Sequence, residues 1–197
     1  MTRPLTTAAF FRMFPDDETC LQHLFTVRFG QGYTCPSCER PSNWYRIKAE
    51  RAYSCQWCGH HLHPTVGTPF AKTRTPLQLW FYAIHLFTTT RHGVSGKELQ
   101  RQLGVTYKTA WRMAALIRDH MAALIRDHMA DVDGDRPLGG PFKTVQIDET
   151  YVGGTHTSVS LKHLNRYVKE FEYRFNRRNR PEAMLPELLS TFRPLNG

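Results

Sequence analysis

Four of the five cysteines form two Cys-x-x-Cys pairs, Cys35–Cys38 and Cys55–Cys58, separated by 16 residues. Two residues between the cysteines allow a tight turn to aim both thiolates at one ion, and two such turns complete a tetrahedral site. Four thiolates leave no open coordination position, so we predict a structural zinc. Cys20 stands apart from these pairs on a predicted helix, where we expect it to be a buried apolar residue.

The elements around the cysteines are short. We predict a helix over residues 5–29, with the start signal Pro15-Asp16-Asp17-Glu18 placing acids at the positive end of the helix dipole. Strand-like runs cover Asn43–Lys48 and Arg51–Ser54, between the two pairs.

The composition points to an anionic partner. The formal charge is +9 and the pI is about 9.6, which makes nucleic acid the first candidate and leaves a merely basic globular protein as the alternative. No run of 18 apolar residues and no signal-peptide core occurs, so we expect a cytoplasmic protein without a membrane partner. In that reducing compartment, paired Cys-x-x-Cys motifs are typical of metal ligands.

A helix-turn-helix pattern follows an apolar helix predicted over Thr75–Thr90. Ser95 starts a short helix that ends at Leu103, and a tight turn at residues 104–106 leads into a helix from Tyr107. The second helix would enter the major groove, with DNA contacts from Thr106, Tyr107, Lys108, Thr109 and Arg112. The alternative is an ordinary helical hairpin whose charges are solvated.

The second of these helices contains a tandem duplication. The octad Met113–His120 is repeated as Met121–His128. Eight residues lengthen a helix by roughly 12 Å and rotate the second copy by roughly 80°. We therefore expect one helix to about Ala130, with the second apolar face out of line with the first.

The last third begins with a Gly/Pro-rich linker over residues 131–141. A β-branched strand, Phe142–Val152, comes next and carries Asp148, and an amphipathic, basic helix follows over Leu161–Phe175. A carboxylate at a strand end can hold a divalent metal, but phosphoryl chemistry needs several convergent carboxylates. By itself, Asp148 is a weak signal.

Taken in order, these motifs resemble bacterial insertion-sequence DDE transposases with an N-terminal zinc ribbon. The resemblance rests on the two cysteine pairs, on Thr65-Val66-Gly67-Thr68, on Thr109-Ala110-Trp111-Arg112-Met113, on Ile147-Asp148-Glu149-Thr150-Tyr151-Val152-Gly153-Gly154, and on the helix from Lys162. It implies DNA transposition, double-stranded transposon ends as the partner, and a ribonuclease-H-like domain that binds Mg²⁺. Asp148 would be the first catalytic carboxylate.

The chain departs from that family after Gly154, because it passes directly into the C-terminal helix. The only acids beyond Glu149 are Glu170, Glu172, Glu182 and Glu187, and none resembles a missing catalytic ligand. We therefore expect a DNA-binding protein with a defective catalytic centre that does not bind Mg²⁺ productively. The alternatives are a non-catalytic repressor, acting as a homodimer or with a full-length relative, and a decayed transposase without function.

The expected fold class is α+β. We assign an N-terminal helix and zinc ribbon to residues 1–72, a helix-turn-helix region with an extended helix to 73–130, the linker to 131–141, and a ribonuclease-H-like remnant of one strand and a C-terminal helix to 142–197.

Overall fold

A computed structural model describes residues 5–90, 93–132 and 161–191, without the side chains of 125–132 and 161–164. The predicted strand over Phe142–Val152, with Asp148, lies outside the described residues, as does most of the predicted linker. The described part is α+β and divides into two compact units. The ribbon unit comprises α1 (Thr7–Met13), α2 (Asp17–Arg28), β1 (Trp44–Ile47), β2 (Ala52–Cys55), β3 (His61–Leu62), α3 (Leu77–Thr89) and α7 (Pro181–Ser190). The helical unit comprises α4 (Gly96–Leu103), α5 (Tyr107–Val132) and α6 (Leu161–Asn176).

The single helix expected over residues 5–29 is wrong, because the chain forms two helices there. Pro15 disfavours helical geometry at Phe14, which ends α1. Asp16 then starts α2 by accepting a 2.7 Å hydrogen bond from the Thr19 amide. The predicted start signal is therefore confirmed.

The sheet is antiparallel in the order β1-β2-β3. Trp44 pairs with Cys55, and Tyr45 pairs with Ser54, which pairs in turn with His61. The first two strands lie where the sequence predicts them, within one residue at each end, whereas β3 is not predicted.

Aromatic side chains hold the ribbon unit together. Tyr53 of β2 stacks on Phe25 of α2 at a centroid distance of 4.1 Å, and its hydroxyl donates to Gln22 at 2.8 Å. Phe14, at the C-terminal end of α1, meets Phe81 of α3 edge to face at 5.0 Å. The stacked pair fixes the sheet against α2, and the edge-to-face pair fixes α3 against the end of α1.

Helix α3 belongs to the ribbon unit. The Gln78 amide at its start donates to Asp17 Oδ1 at 2.9 Å, and α7 packs against both α2 and α3. The ribbon unit thus includes α3 and α7, and the domain boundary expected at residues 72/73 stays a prediction. In the described part of the chain, no helix has both the length and the hydropathy that a membrane span requires.

In the helical unit, Ser95 starts α4 by accepting a 3.1 Å hydrogen bond from the Glu98 amide. Gly104 ends α4 in the left-handed conformation at φ 66°, which glycine adopts without steric cost. Helix α5 then begins at Tyr107 and continues to Val132, two residues beyond the predicted end. The expectation that the second octad would be out of line is wrong for its first residues, since Met121, Ala122 and Leu124 are buried.

Helix α6 packs on α5 through polar side chains. Arg118 donates to Glu170 at 2.6 Å, and both side chains are 4% exposed. Arg166 pairs with Asp119 at 2.7 Å. The helical spacing of apolar residues predicts this helix, but these side chains are exposed where the structure describes them. Val168, Phe171 and Phe175 are 42–50% exposed.

Candidate metal centre and nucleic-acid interface

The four paired cysteines converge on one point of the ribbon unit. Their sulfur atoms all lie within 4.8 Å of one another. Cys35 Sγ is 3.6 Å from Cys58 Sγ, and Cys38 Sγ is 3.9 Å from Cys55 Sγ. These separations exclude disulfides, whose sulfur atoms lie at about 2.05 Å. A tetrahedron with Zn–S bonds of about 2.3 Å has sulfur–sulfur edges of about 3.8 Å, so the thiols fit a zinc ion.

The two cysteine turns share one backbone pattern. In the first, the Glu39 amide donates to the Cys35 carbonyl at 2.8 Å, and in the second, the Gly59 amide donates to the Cys55 carbonyl at 3.1 Å. The residue after each second cysteine is left-handed, with φ 55° at Glu39 and 70° at Gly59. Each turn therefore aims two sulfur atoms the same way, and Glu39 bears a strain that Gly59 avoids.

Ser42 contacts the cysteine cluster through its hydroxyl group. Its buried hydroxyl lies 3.2 Å from Cys55 Sγ. Burial raises the pKa of Cys55, but hydrogen bonds from Ser42 and from the amides of Cys58 and Trp57 bring that pKa down to about 6. At Cys38, desolvation raises the pKa to about 11.

The donor set suggests structural zinc binding. Thiolates this close repel one another unless a cation lies between them, and four soft sulfur ligands are typical of Zn²⁺. The ion would hold the two turns together and leave no position for a substrate. Cys20 is buried away from the cluster, and burial raises its pKa to about 12, as expected for a residue that packs and does not ligate.

The helical unit presents a basic, aromatic face on the first two turns of α5. Tyr107, Lys108, Trp111 and Arg112 are exposed, while Ala110 on the opposite side is fully buried. Within the described residues, Lys108 and Arg112 form no ion pair. Their charges are available to an anionic partner.

Two of the predicted DNA contacts have a local structural role. The Thr106 hydroxyl accepts a 3.3 Å hydrogen bond from the Thr109 amide, and the two hydroxyls lie 3.0 Å apart. Thr106 therefore caps α5. Tyr107, Lys108 and Arg112 lie together on the exposed face, and Thr109 is half-buried beside it.

Not every cation of this region is available. Arg118 is buried, where it donates to Glu170 and also to the Val94 carbonyl at 2.6 Å, with Tyr167 under its guanidinium at 4.0 Å. Arg101 pairs with Glu98 on the surface at 2.7 Å. The excess of basic residues counted in the sequence is therefore larger than the positive charge that α4 and α5 present to a partner.

The acids of the described chain do not form a catalytic cluster. Among the described residues, the only group of three or more metal-ligating side chains is the four cysteines. Glu170 is buried with Arg118, and Glu172 pairs with Lys169 at 2.7 Å. Asp148 lies outside the described residues.

Sequence reasoning missed three residues at these sites. Ser42 carries no signal, since an isolated serine resembles any surface residue. Trp111 could have been found, because it follows Tyr107 by four residues and so lies on the same helix face. The partnership of Arg118 with Glu170 joins positions 52 apart, and no local pattern indicates it.

Comparison with known proteins gives two matches. Residues 15–61 match a family model described as a transposase zinc-ribbon domain. A Halobacterium salinarum protein, named as an uncharacterized protein in transposable element ISH50, is 28% identical over 144 residues, which cover 72% of this chain and 44% of that protein. The chain thus spans less than half the length of this relative. No solved structure matches the chain. The zinc-ribbon match and the transposable-element relative together support a transposase-family protein.

Proposed function

We propose that this chain is a transposase-family DNA-binding protein that recognises insertion-sequence ends through a helix-turn-helix formed by α4, the turn at Gly104, and α5. The observation that carries the proposal is the exposed face of α5, where Lys108 and Arg112 stand beside Tyr107 and Trp111. Its support is the similarity to a transposase zinc-ribbon domain and to a transposable-element protein.

In this proposal, α5 enters the major groove with its first turns against the base edges, and α4 crosses the backbone. Lys108 and Arg112 lie one turn apart and reach phosphate or guanine. Lys97, exposed in the first turn of α4, adds a phosphate contact. Thr106 contributes indirectly, because its hydroxyl caps the helix that the others use.

The zinc ribbon has a structural part in this proposal. Strands as short as β1, β2 and β3 form a stable sheet only with further support, which a bound metal supplies. Zinc at Cys35, Cys38, Cys55 and Cys58 would fix both turns and the sheet between them.

We further propose that the chain does not cut DNA. Two-metal phosphoryl transfer needs convergent carboxylates. Glu170 and Glu172 are held in ion pairs, so neither carboxylate of α6 is available to such a metal site. The second candidate function therefore follows from the same observation: a protein that binds transposon ends without cutting them represses a full-length transposase.

Duplex binding by the zinc-loaded full chain tests the DNA-binding proposal. Fluorescence anisotropy of a random-sequence duplex should show an affinity that falls steeply with salt. The double variant Lys108→Ala/Arg112→Ala should lower the slope of log K against log salt by about 1 to 2, since each phosphate contact contributes about 0.9.

A charge-matched control is available on the same unit. Lys169→Ala/Arg178→Ala removes the same charge from α6 and the residues after it and should leave the slope unchanged. Equal effects of the two double variants would show that the binding follows net charge and not the face of α5.

A further inference from the structure

Tyr107 and Trp111 form an apolar ridge on the face that we assign to DNA. They lie one helical turn apart and are 49% and 41% exposed. Lys108 and Arg112 form a parallel cationic ridge one position further along. The exposed face of α5 is thus divided into an aromatic half and a charged half, and phosphate contacts use only the charged half.

Gly96 of α4 lies close to the two aromatic rings. A Cβ atom at this position, in the first turn of α4, would lie 3.4 Å from Tyr107 Cε2 and 3.8 Å from Trp111 Cδ1. Both rings thus lie close to the start of α4, and both side chains are still partly exposed. Aromatic rings held in this way lose little rotamer freedom on binding, which makes them effective recognition groups.

The major groove offers one apolar group to such a ridge, the 5-methyl group of thymine. We propose that Tyr107 and Trp111 are specificity determinants that contact thymine methyl groups in the DNA site. Their Cα atoms are separated by about 6 Å along the helix axis, which corresponds to roughly two base-pair steps of 3.4 Å. The preferred thymines therefore lie about two base pairs apart. This inference rests on the proposed function, because it requires α5 to lie in the groove.

The test uses duplexes selected from a random library with the zinc-loaded full chain. In the selected duplex, each thymidine is replaced in turn by deoxyuridine, which removes only the methyl group. The wild-type protein should bind about 4-fold more weakly when one of the contacted thymines is replaced, as expected for losing one buried methyl group.

The variants Tyr107→Ala and Trp111→Ala should lose this sensitivity and bind the thymine and uracil duplexes alike. Lys108→Ala serves as the control, because it should weaken binding to both duplexes equally and keep the ratio between them. Gly96→Ala should leave the ratio unchanged, because its Cβ would make only ordinary van der Waals contact with the two rings.

The possible outcomes distinguish DNA binding by the chain from recognition of thymine methyl groups. Absence of salt-dependent duplex binding overturns the proposed function. Binding that is unchanged within twofold by every uracil substitution overturns the inference alone, as does undiminished uracil sensitivity in Trp111→Ala. Self-association that Trp111→Ala abolishes, together with uracil-insensitive binding, would identify the ridge as a protein contact and overturn the inference. If an aromatic variant fails to fold, the uracil substitutions still test with the wild-type protein whether thymine methyl groups contribute to binding.

Discussion

The two units are stabilised by different chemistry. The ribbon unit joins short strands and helices through stacked aromatic rings and four thiols that fit a metal ion. The helical unit packs α6 on α5 through a buried Arg118–Glu170 pair and a second pair between Arg166 and Asp119. The first arrangement depends on a ligand that can be removed, and the second depends on charges that must stay matched. The units should therefore fail under different treatments.

Loss of one zinc ligand should have the largest effect. Cys38→Ser should abolish zinc binding and unfold the ribbon, because structural zinc contributes on the order of 10 kcal/mol of apparent binding free energy. Zinc content and amide hydrogen exchange would measure this. Exchange should rise over the ribbon sheet, while α5 of the helical unit keeps its protection.

Cys20→Ala is the matched control, since this thiol is buried outside the cluster. It should keep the full zinc content and cost only about 1 kcal/mol. Equal loss of protection in α5 after Cys38→Ser would contradict the independence of the two units.

The helical unit should be most sensitive at Glu170. Glu170→Gln leaves Arg118 and Arg174 charged and buried, and breaking such a pair costs about 3–5 kcal/mol. Burial already lowers the pKa of Arg174, which shows how poorly this site solvates a charge. Denaturant unfolding of the full chain, monitored by exchange in α5, would measure the loss.

Glu172→Gln removes the same charge from the same helix at a half-exposed pair with Lys169. It should cost less than about 1 kcal/mol. If the two variants destabilised the protein equally, the buried pair could not be what holds α6 on α5.

The aromatic core of the ribbon unit should respond to pH. Burial lowers the pKa of His23 and His85 below the ordinary value of 6.5, and His85 stacks on Phe10 at 5.0 Å. Protonation therefore favours the unfolded chain, so this contribution is complete above pH 6.5 and is lost as the pH falls below it. Each histidine changes the free energy of unfolding by at most about 1.4 kcal/mol per pH unit.

His85→Phe keeps a ring in place but cannot be protonated. The free energy of unfolding of this variant, measured between pH 5 and pH 7.5 in excess zinc, should fall less steeply with acid than that of the wild type. Parallel curves for the two proteins would rule out His85 as a source of the pH dependence.

The smallest effects should distinguish the two cysteine turns. Gly59→Ala forces a side chain into a left-handed position and should cost about 1 kcal/mol, whereas Glu39→Gly relieves the same strain and should be neutral or stabilising by less than about 1 kcal/mol. Thermal unfolding of the zinc-loaded variants would test this. Melting temperatures that move in the same direction would show that backbone strain does not set the difference.

Local chemistry made part of this architecture predictable. The cysteine spacing, the cap at Ser95 and the turn at Gly104 each act over a few residues, and each predicted element was found. The packing of α6 was not predictable, because its apolar stripe indicates the wrong face and the buried contact depends on Arg118, which is distant in sequence. The break at Pro15 was visible in the sequence, but the helical pattern on both sides obscured it.

We propose that the chain binds transposon ends without cutting them. A footprinting gel on end-labelled duplexes carrying the ends of the related element, with zinc-loaded protein and Mg²⁺, tests both halves at once. We predict protection that Lys108→Ala/Arg112→Ala removes, with no Mg²⁺-dependent nicks. Nicks within the protected region that Asp148→Ala abolishes would show that the chain does cut DNA.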